Sequence, residues 1–218
     1  MRAGKLLMRV RFPLPAHMPD NQDSIEIQAT TETSSSMYKW QENIHKFQEK
    51  SGWCGPAVWQ MAHIAGGDKV TSQEQIAKDI HYDESWGTTL TNMINYANEK
   101  FSDRGFKVNS KIEDMEKALN EGKFIIANFM AEDVIGTGGH YAVVTAIDKQ
   151  NNTISMADPS TAPRKDGKKG VYQMNIDEFE KNWFDYATPE DEDNKVPTRG
   201  WFLWVDPLSI KVTKQVVQ

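Results

Sequence analysis

The chain has 218 residues, 39% hydrophobic and 10% aromatic, with a formal net charge of −6 and a pI near 5.4. That length and apolar content suffice for one good core and are short for two full-sized domains, while an acidic chain without a Lys or Arg run outside its N-terminal stretch lacks a nucleic-acid footprint. No stretch approaches the roughly 20 apolar residues of a membrane span, and the single cysteine excludes an intramolecular disulfide and every CxxC motif but leaves the compartment open.

Residues 1–36 differ in composition from the rest. Met1 to Met18 is basic and free of acids, and Pro19 to Ser36 is polar, ending in Thr31-Glu32-Thr33-Ser34-Ser35-Ser36. The stretch is expected to be a mobile, disordered leader ahead of one domain over 37–218. Arg9 and Arg11 interrupt its apolar part, which the uninterrupted core of a secretory signal, about 7 to 15 residues, does not allow. His17-Met18 reads equally as a cloning scar or as native tail.

From Met37 onward the periodicities are readable. Ser51-Gly52-Trp53-Cys54-Gly55-Pro56-Ala57 leads into Val58, Met61, Ala62 and Ala65, an i, i+3, i+4, i+7 stripe closed by Gly66-Gly67. This predicts a core helix with the cysteine at its mouth. Thr71-Ser72-Gln73-Glu74 has the capping-box form and opens a helix through Ile76, Ala77 and Ile80. Leu90, Ile94, Ala97 and Phe101 mark a longer helix beginning near Thr88 or Thr89, and Ile112, Met115 and Leu119 a shorter one stopped by Gly122. The second half changes period. Phe124 to Phe129 and Tyr141 to Ile147 are apolar runs that predict buried strands, and Lys149-Gln150-Asn151-Asn152 turns the latter back into Thr153 to Ala157 as a hairpin. Asn175-Ile176-Asp177-Glu178 opens a helix through Phe179 and Trp183, and Trp201 to Val205 supplies a last strand. Helices followed by strands, without alternation or internal repeat, predict an α+β fold.

Cys54 is the candidate nucleophile. A helix N-terminus presents unpaired N–H groups and the positive end of the macrodipole, which favour an anion there. A free cysteine is more often a small buried hydrophobe; Gly55, which allows close backbone approach, Pro56, suited to the first helical position, and the amide donor of Gln48 upstream favour the chemical reading.

A thiol nucleophile needs a base, which can be distant in sequence. His17 lies in the leader, His45 and His63 on predicted helical faces, and His81 beside Asp83 and Glu84 in a polar connection. His140 instead follows Gly136-Thr137-Gly138-Gly139 and begins a buried strand, so its imidazole is offered at a sheet end. The returning strand of the hairpin ends at Asp158-Pro159. If paired positions total about 300, His140 faces residue 160 and Asp158 is its diagonal neighbour on the same face, within side-chain reach. Asp148 sits at the turn end, too far along the strand. An Asx-type turn before Pro159 is the competing reading of Asp158.

Gln48, Cys54-Gly55-Pro56-Ala57, Gly139-His140-Tyr141-Ala142-Val143-Val144 and Asp158-Pro159 stand in the order and approximate spacing of the papain-like bacteriocin-processing, or double-glycine leader, peptidases, and the chain resembles freestanding members of that family over about residues 38 to 206. The resemblance implies a papain-like fold, a helical half packed on an antiparallel sheet half with the cleft between. It implies Cys54 as nucleophile, His140 as general base and acid, Asp158 as orienter and Gln48 as oxyanion donor. It also implies a peptide or protein substrate and an exported protein. The spacing from His140 to Asp158 is slightly wider than the family's, and the loop from Ser160 to Lys169, with Arg164, Lys165, Lys168 and Lys169, is longer and more basic than a hairpin needs.

The chemistry is acyl transfer at a carbonyl, resolved by water or another amine, and needs no cofactor. No HExxH or histidine ligand spacing suggests a metal, and the glycines at 136–139 precede a strand instead of opening a phosphate-binding helix. Trp53, Trp86 and Gly139 are candidate substrate-binding residues lining the cleft. The alternative is a non-catalytic peptide-binding or inhibitory module on the same fold, or an acyl transferase using the same residues.

Overall fold

The computed structural model describes the backbone of residues 26–29 and residues 38–131 and 138–211. Strand β1 (Glu26–Ala29) pairs antiparallel with β2 (Arg104–Lys107). This strand lies within the stretch 1–36 read from sequence as a leader; the rest of that stretch lies outside the described residues.

The helical half follows. Helix α1 (Cys54–Ala65) forms where its apolar stripe predicts, and Val58 and Met61, both 0% exposed, each contribute about 1.5–3 kcal/mol by burial. Pro56 occupies the third helical position and not the first, still within the turn whose N–H groups have no intrahelical acceptor. Helix α2 (Gln73–Asp79) is capped by Ser72, one residue later than the capping-box reading places it, its hydroxyl accepting from Gln75 N–H at 3.2 Å. Helix α3 (Leu90–Lys100) is capped by Thr89, and α4 (Ile112–Asn120) ends before Gly122, whose φ of 74° is the left-handed geometry that glycine adopts at no steric cost.

Strands β3 (Phe124–Met130), β4 (Gly139–Asp148) and β5 (Thr153–Ala157) form the expected apolar runs and hairpin. The chain then adds β6 (Val171–Asn175), α5 (Ile176–Asn182), a short pair of strands β7 (Phe184–Asp185) and β8 (Thr198–Arg199) flanking α6 (Pro189–Asp193), and β9 (Phe202–Val205). The main sheet has seven strands in the order β1-β2-β9-β3-β4-β5-β6, every pair antiparallel.

Two cores sit on the two faces of this sheet, which is why its central strands read as unbroken apolar runs and not as alternation. Phe124, Ile126, Tyr141, Val143, Leu203 and Val205 pack with α1 to α3. Their neighbours Ile125, Ala127, Ala142, Val144, Phe202 and Trp204 pack with α4 and α5. The fold is the α+β papain-like arrangement, with the helix carrying Cys54 laid against the strand carrying His140.

Candidate active site

Cys54 is the first residue of α1 and 9% exposed; it packs on the core beneath and also lines the cleft. The turn before it needs glycine. Gly52 has φ 76°, and a Cβ there would lie 2.6 Å from the Tyr82 hydroxyl. Gly55 lets the helix approach Thr88, whose Oγ1 stands 2.7 Å from where a Cβ would be.

Register brings the remaining groups together. Val143 pairs with Ala157 and Val144 with Met156, so the expected diagonal relation between His140 and Asp158 holds at this end of the hairpin. A bulge between Val144 and Ala146 shifts the pairing only toward the turn. The His140 Nε2–H donates to Asp158 Oδ1 at 2.7 Å, which leaves Nδ1 free to face Cys54, close enough for the thiol to act on the charge of the ring. Met156 pairs with Tyr172 in the next strand, so the same diagonal step recurs and the Tyr172 hydroxyl donates to Asp158 Oδ2 at 2.8 Å. Ser160 N–H adds a third bond to Oδ1 at 2.7 Å. That last bond is the Asx-type turn, so the two readings of Asp158 coexist in one carboxylate.

The charges follow from these bonds. Burial works against an ionised Asp158, but the His140 charge, its hydrogen bond and the bonds from Ser160 and Tyr172 outweigh it and hold the carboxyl down to about 2. Burial likewise pulls His140 down, yet the Asp158 charge and bond, with the bond to Cys54, carry it well above its ordinary 6.5.

Behind Tyr172 stands Arg164. Of the basic residues in the Ser160–Lys169 loop, Lys165, Lys168 and Lys169 are exposed and Arg164 alone is buried. Arg164 is 8% exposed, its guanidinium 5.0 Å from the Tyr172 ring centroid and its Nη2 donating to Glu178 Oε1 at 2.7 Å. Arg164 was noted only as part of a basic loop and Tyr172 not at all, although Tyr172 and Met174 alternate with exposed neighbours and carry a period-two signal.

Gln48 is half-buried and its segment is tied down from two sides. Its own N–H donates to Pro159 C=O at 2.8 Å, and the buried Gln73 side chain bonds Phe47 C=O at 2.8 Å and Glu49 N–H at 2.9 Å. His45 is not on a helical face: it follows a single 3-10 turn over Glu42–Ile44 and donates from Nε2 to Asp158 C=O at 2.8 Å. His63 is a satisfied core imidazole between Asp68 and Tyr96, and His81 is exposed. Asp148 caps the hairpin turn.

The cleft at Cys54 has a volume of about 530 Å³, with Tyr82, Trp86, Gly139, Tyr141 and Asp185 among its walls. Trp86 and Gly139 thus stand where expected. Trp53 does not: it is buried edge-on against Tyr82 with Lys50 over its ring, outside the cleft lining. A larger cavity of about 650 Å³ lies toward the turn end of β4, away from Cys54.

Asp185, which sequence reasoning passed over, reaches the cleft from β7. A Cβ on Gly139 would coincide with its carboxylate, so glycine at 139 makes room for it. Burial pushes Asp185 up to about 6, against the hydrogen bonds from Tyr186 N–H and the Asn128 side chain. No local motif announces it: Trp183-Phe184-Asp185-Tyr186 reads as an ordinary connection.

A thiol at a helix N-terminus, an imidazole against it and a carboxylate behind the imidazole define the class, a papain-like fold with a cysteine-centred cleft. A family model described as Peptidase_C39 like family matches residues 34–188, and the chain belongs to that family. Among solved structures it is similar to a candidate C39-like peptidase from Bacillus anthracis, with a TM-score of 0.52 and 11% identity, over 75% of this chain and 94% of that one. At that identity the likeness speaks for the fold alone. No curated protein matches the chain.

Proposed function

We propose that the protein is a cysteine peptidase that hydrolyses peptide bonds through a thioester intermediate. The observation that carries this reading is the Cys54 thiol at the edge of an open cleft, beside a buried imidazole whose Nε2 is hydrogen-bonded to Asp158. The imidazole beside the thiol is the base that takes its proton. The sulfur attacks the substrate carbonyl, and the oxyanion is met by the Cys54 N–H and the Gln48 side-chain amide. His140 gives its proton to the leaving amine and then takes one from the water that cleaves the thioester, while Asp158 keeps the ring in the tautomer and direction both steps require. Gln48, Cys54-Gly55-Pro56-Ala57, Gly139-His140 and Asp158-Pro159 support kinship with the double-glycine leader peptidases inside the C39-like family.

Because the chain has one cysteine, thiol labelling reports on one site. Cys54 is expected to react with iodoacetamide rapidly near pH 7 and more slowly in His140→Ala. Gln48→Ala is expected to lose about 2.7–4 kcal/mol of transition-state stabilisation in peptide hydrolysis. Labelling at the rate of an ordinary thiol, together with no hydrolysis, would replace the peptidase by a peptide-binding module on the same fold.

A further inference from the structure

We propose that Asp185 makes the cleft beside Cys54 selective for a peptide with a lysine or arginine side chain near the scissile bond. The inference rests on the peptidase reading and names its substrate class.

Position comes first. The Asp185 carboxylate lies against Gly139, the residue before His140, and lines the same cleft as Cys54. A substrate whose carbonyl reaches the sulfur therefore passes this carboxylate with the side chain of a neighbouring residue.

The partners of Asp185 are neutral. Its Oδ1 accepts from Tyr186 N–H at 2.7 Å and its carboxylate from the Asn128 side chain. Among the described residues, no Lys or Arg lies within ion-pair distance of it. The His140 charge acts on both carboxylates, but it is hydrogen-bonded to Asp158 alone, and at Asp185 it is opposed by the nearby Glu192. A carboxylate taken out of water without a cation carries a desolvation cost that a bound ammonium or guanidinium relieves.

A further observation points to a ligand rich in donors. Thr88 lines the cleft at 9% exposure, and its Oγ1 is buried without a hydrogen-bond partner. Orphaned buried acceptors are uncommon, and a lysine ammonium or arginine fork supplies several donors at once. The other charged residues in the cleft wall are Glu84 and Glu192, so among the described residues its charge is of one sign, which concentrates cations and repels anions.

The test uses the full chain at pH 8 and low salt with two thiol reagents of similar size and opposite charge, the ethyltrimethylammonium and ethylsulfonate methanethiosulfonates. Each forms a mixed disulfide with Cys54 and releases methanesulfinate. With rates normalised to glutathione, the cationic reagent is expected to be favoured by about tenfold or more, falling as salt is added. Asp185→Asn should cut the preference at least about threefold. Glu113→Gln, a change on exposed α4 beside Lys149, should leave it unchanged. A positional peptide library should then show Lys or Arg enriched at one position for the unaltered protein and lost in Asp185→Asn. Equal normalised rates in the unaltered protein would overturn the inference, and that measurement needs no variant to fold. So would a preference unmoved by Asp185→Asn, or cleavage without a basic preference. A library left uncut would overturn the peptidase reading, while the reagent preference would still decide whether Asp185 sets the charge selection.

Discussion

On the sheet side of His140, Asp158 is 2% exposed and receives hydrogen bonds from an imidazole, a backbone N–H and a tyrosine hydroxyl. On the cleft side, Asp185 is also largely out of water but has only neutral donors, Tyr186 N–H and Asn128. The first carboxyl is held down to about 2 and the second pushed up to about 6 from the same ordinary 3.8. Burial therefore does not decide the charge state. A hydrogen-bonded cation does: His140 bonds Asp158 directly and acts on Asp185 only from a distance, so at Asp185 the cost of burial stands. Asp158 stabilises the fold and Asp185 strains it, as expected of a group kept for binding.

The largest effect is expected at Asp158. Asp158→Ala strips the partner from a buried imidazolium and should cost about 3–5 kcal/mol in urea unfolding, together with the fast labelling of Cys54. A loss under about 1 kcal/mol would mean that the pair is not the anchor described. Next is Gly139→Ala, which sets a methyl on the Asp185 carboxylate beside the strand that carries His140 and should cost about 1–3 kcal/mol. In a double-mutant cycle Asp185→Ala should restore about 1 kcal/mol or more of that, and strict additivity would separate the two residues.

The pH dependences have opposite signs. Asp158, with a depressed folded value, contributes stability that is present above 3.8 and lost as pH falls through about 2. Asp185, with a raised one, favours the folded state below 3.8 and loses that advantage as pH rises through about 6. Asp185→Asn should accordingly gain about 2 kcal/mol at pH 8 and little at pH 4, measured by denaturation at both. The smallest effect is that of Tyr172→Phe, which removes one donor from Asp158 and should cost about 1–1.5 kcal/mol. Its acid unfolding should begin at higher pH, and an unmoved acid limb would leave the hydroxyl no part in holding the carboxylate.

Much of this was legible in advance. The stripe from Val58 to Ala65 and the glycines after it specify α1, and the hairpin turn at Lys149 to Asn152 sets the register that puts Asp158 diagonal to His140. What was missed shares a physical cause. Strand β2 carries one buried residue, Gly105, and β7 has two residues in all, so neither shows a period. Trp53 looked like a loop aromatic but fills the space under Tyr82, because burying a tryptophan ring is worth more than displaying it. Arg164 stood out only as one of four basic residues in a long loop, and its partners, Glu178 and the Tyr172 ring, come from α5 and β6 beyond it.

Local order along the chain, read without coordinates, determined the helix that offers Cys54, the strand that offers His140 and the pairing that adds Asp158, because helical and strand periods and a short turn act over a few residues. Only the tertiary structure decided which carboxyl would be neutralised and which left facing the cleft. Asp185 arrives on β7 from beyond β6 and α5, and the cost of its charge is set by Gly139 and Asn128, neighbours in space from distant parts of the chain. Desolvation and hydrogen bonding depend on everything that surrounds a group, and that exists only once the chain has folded.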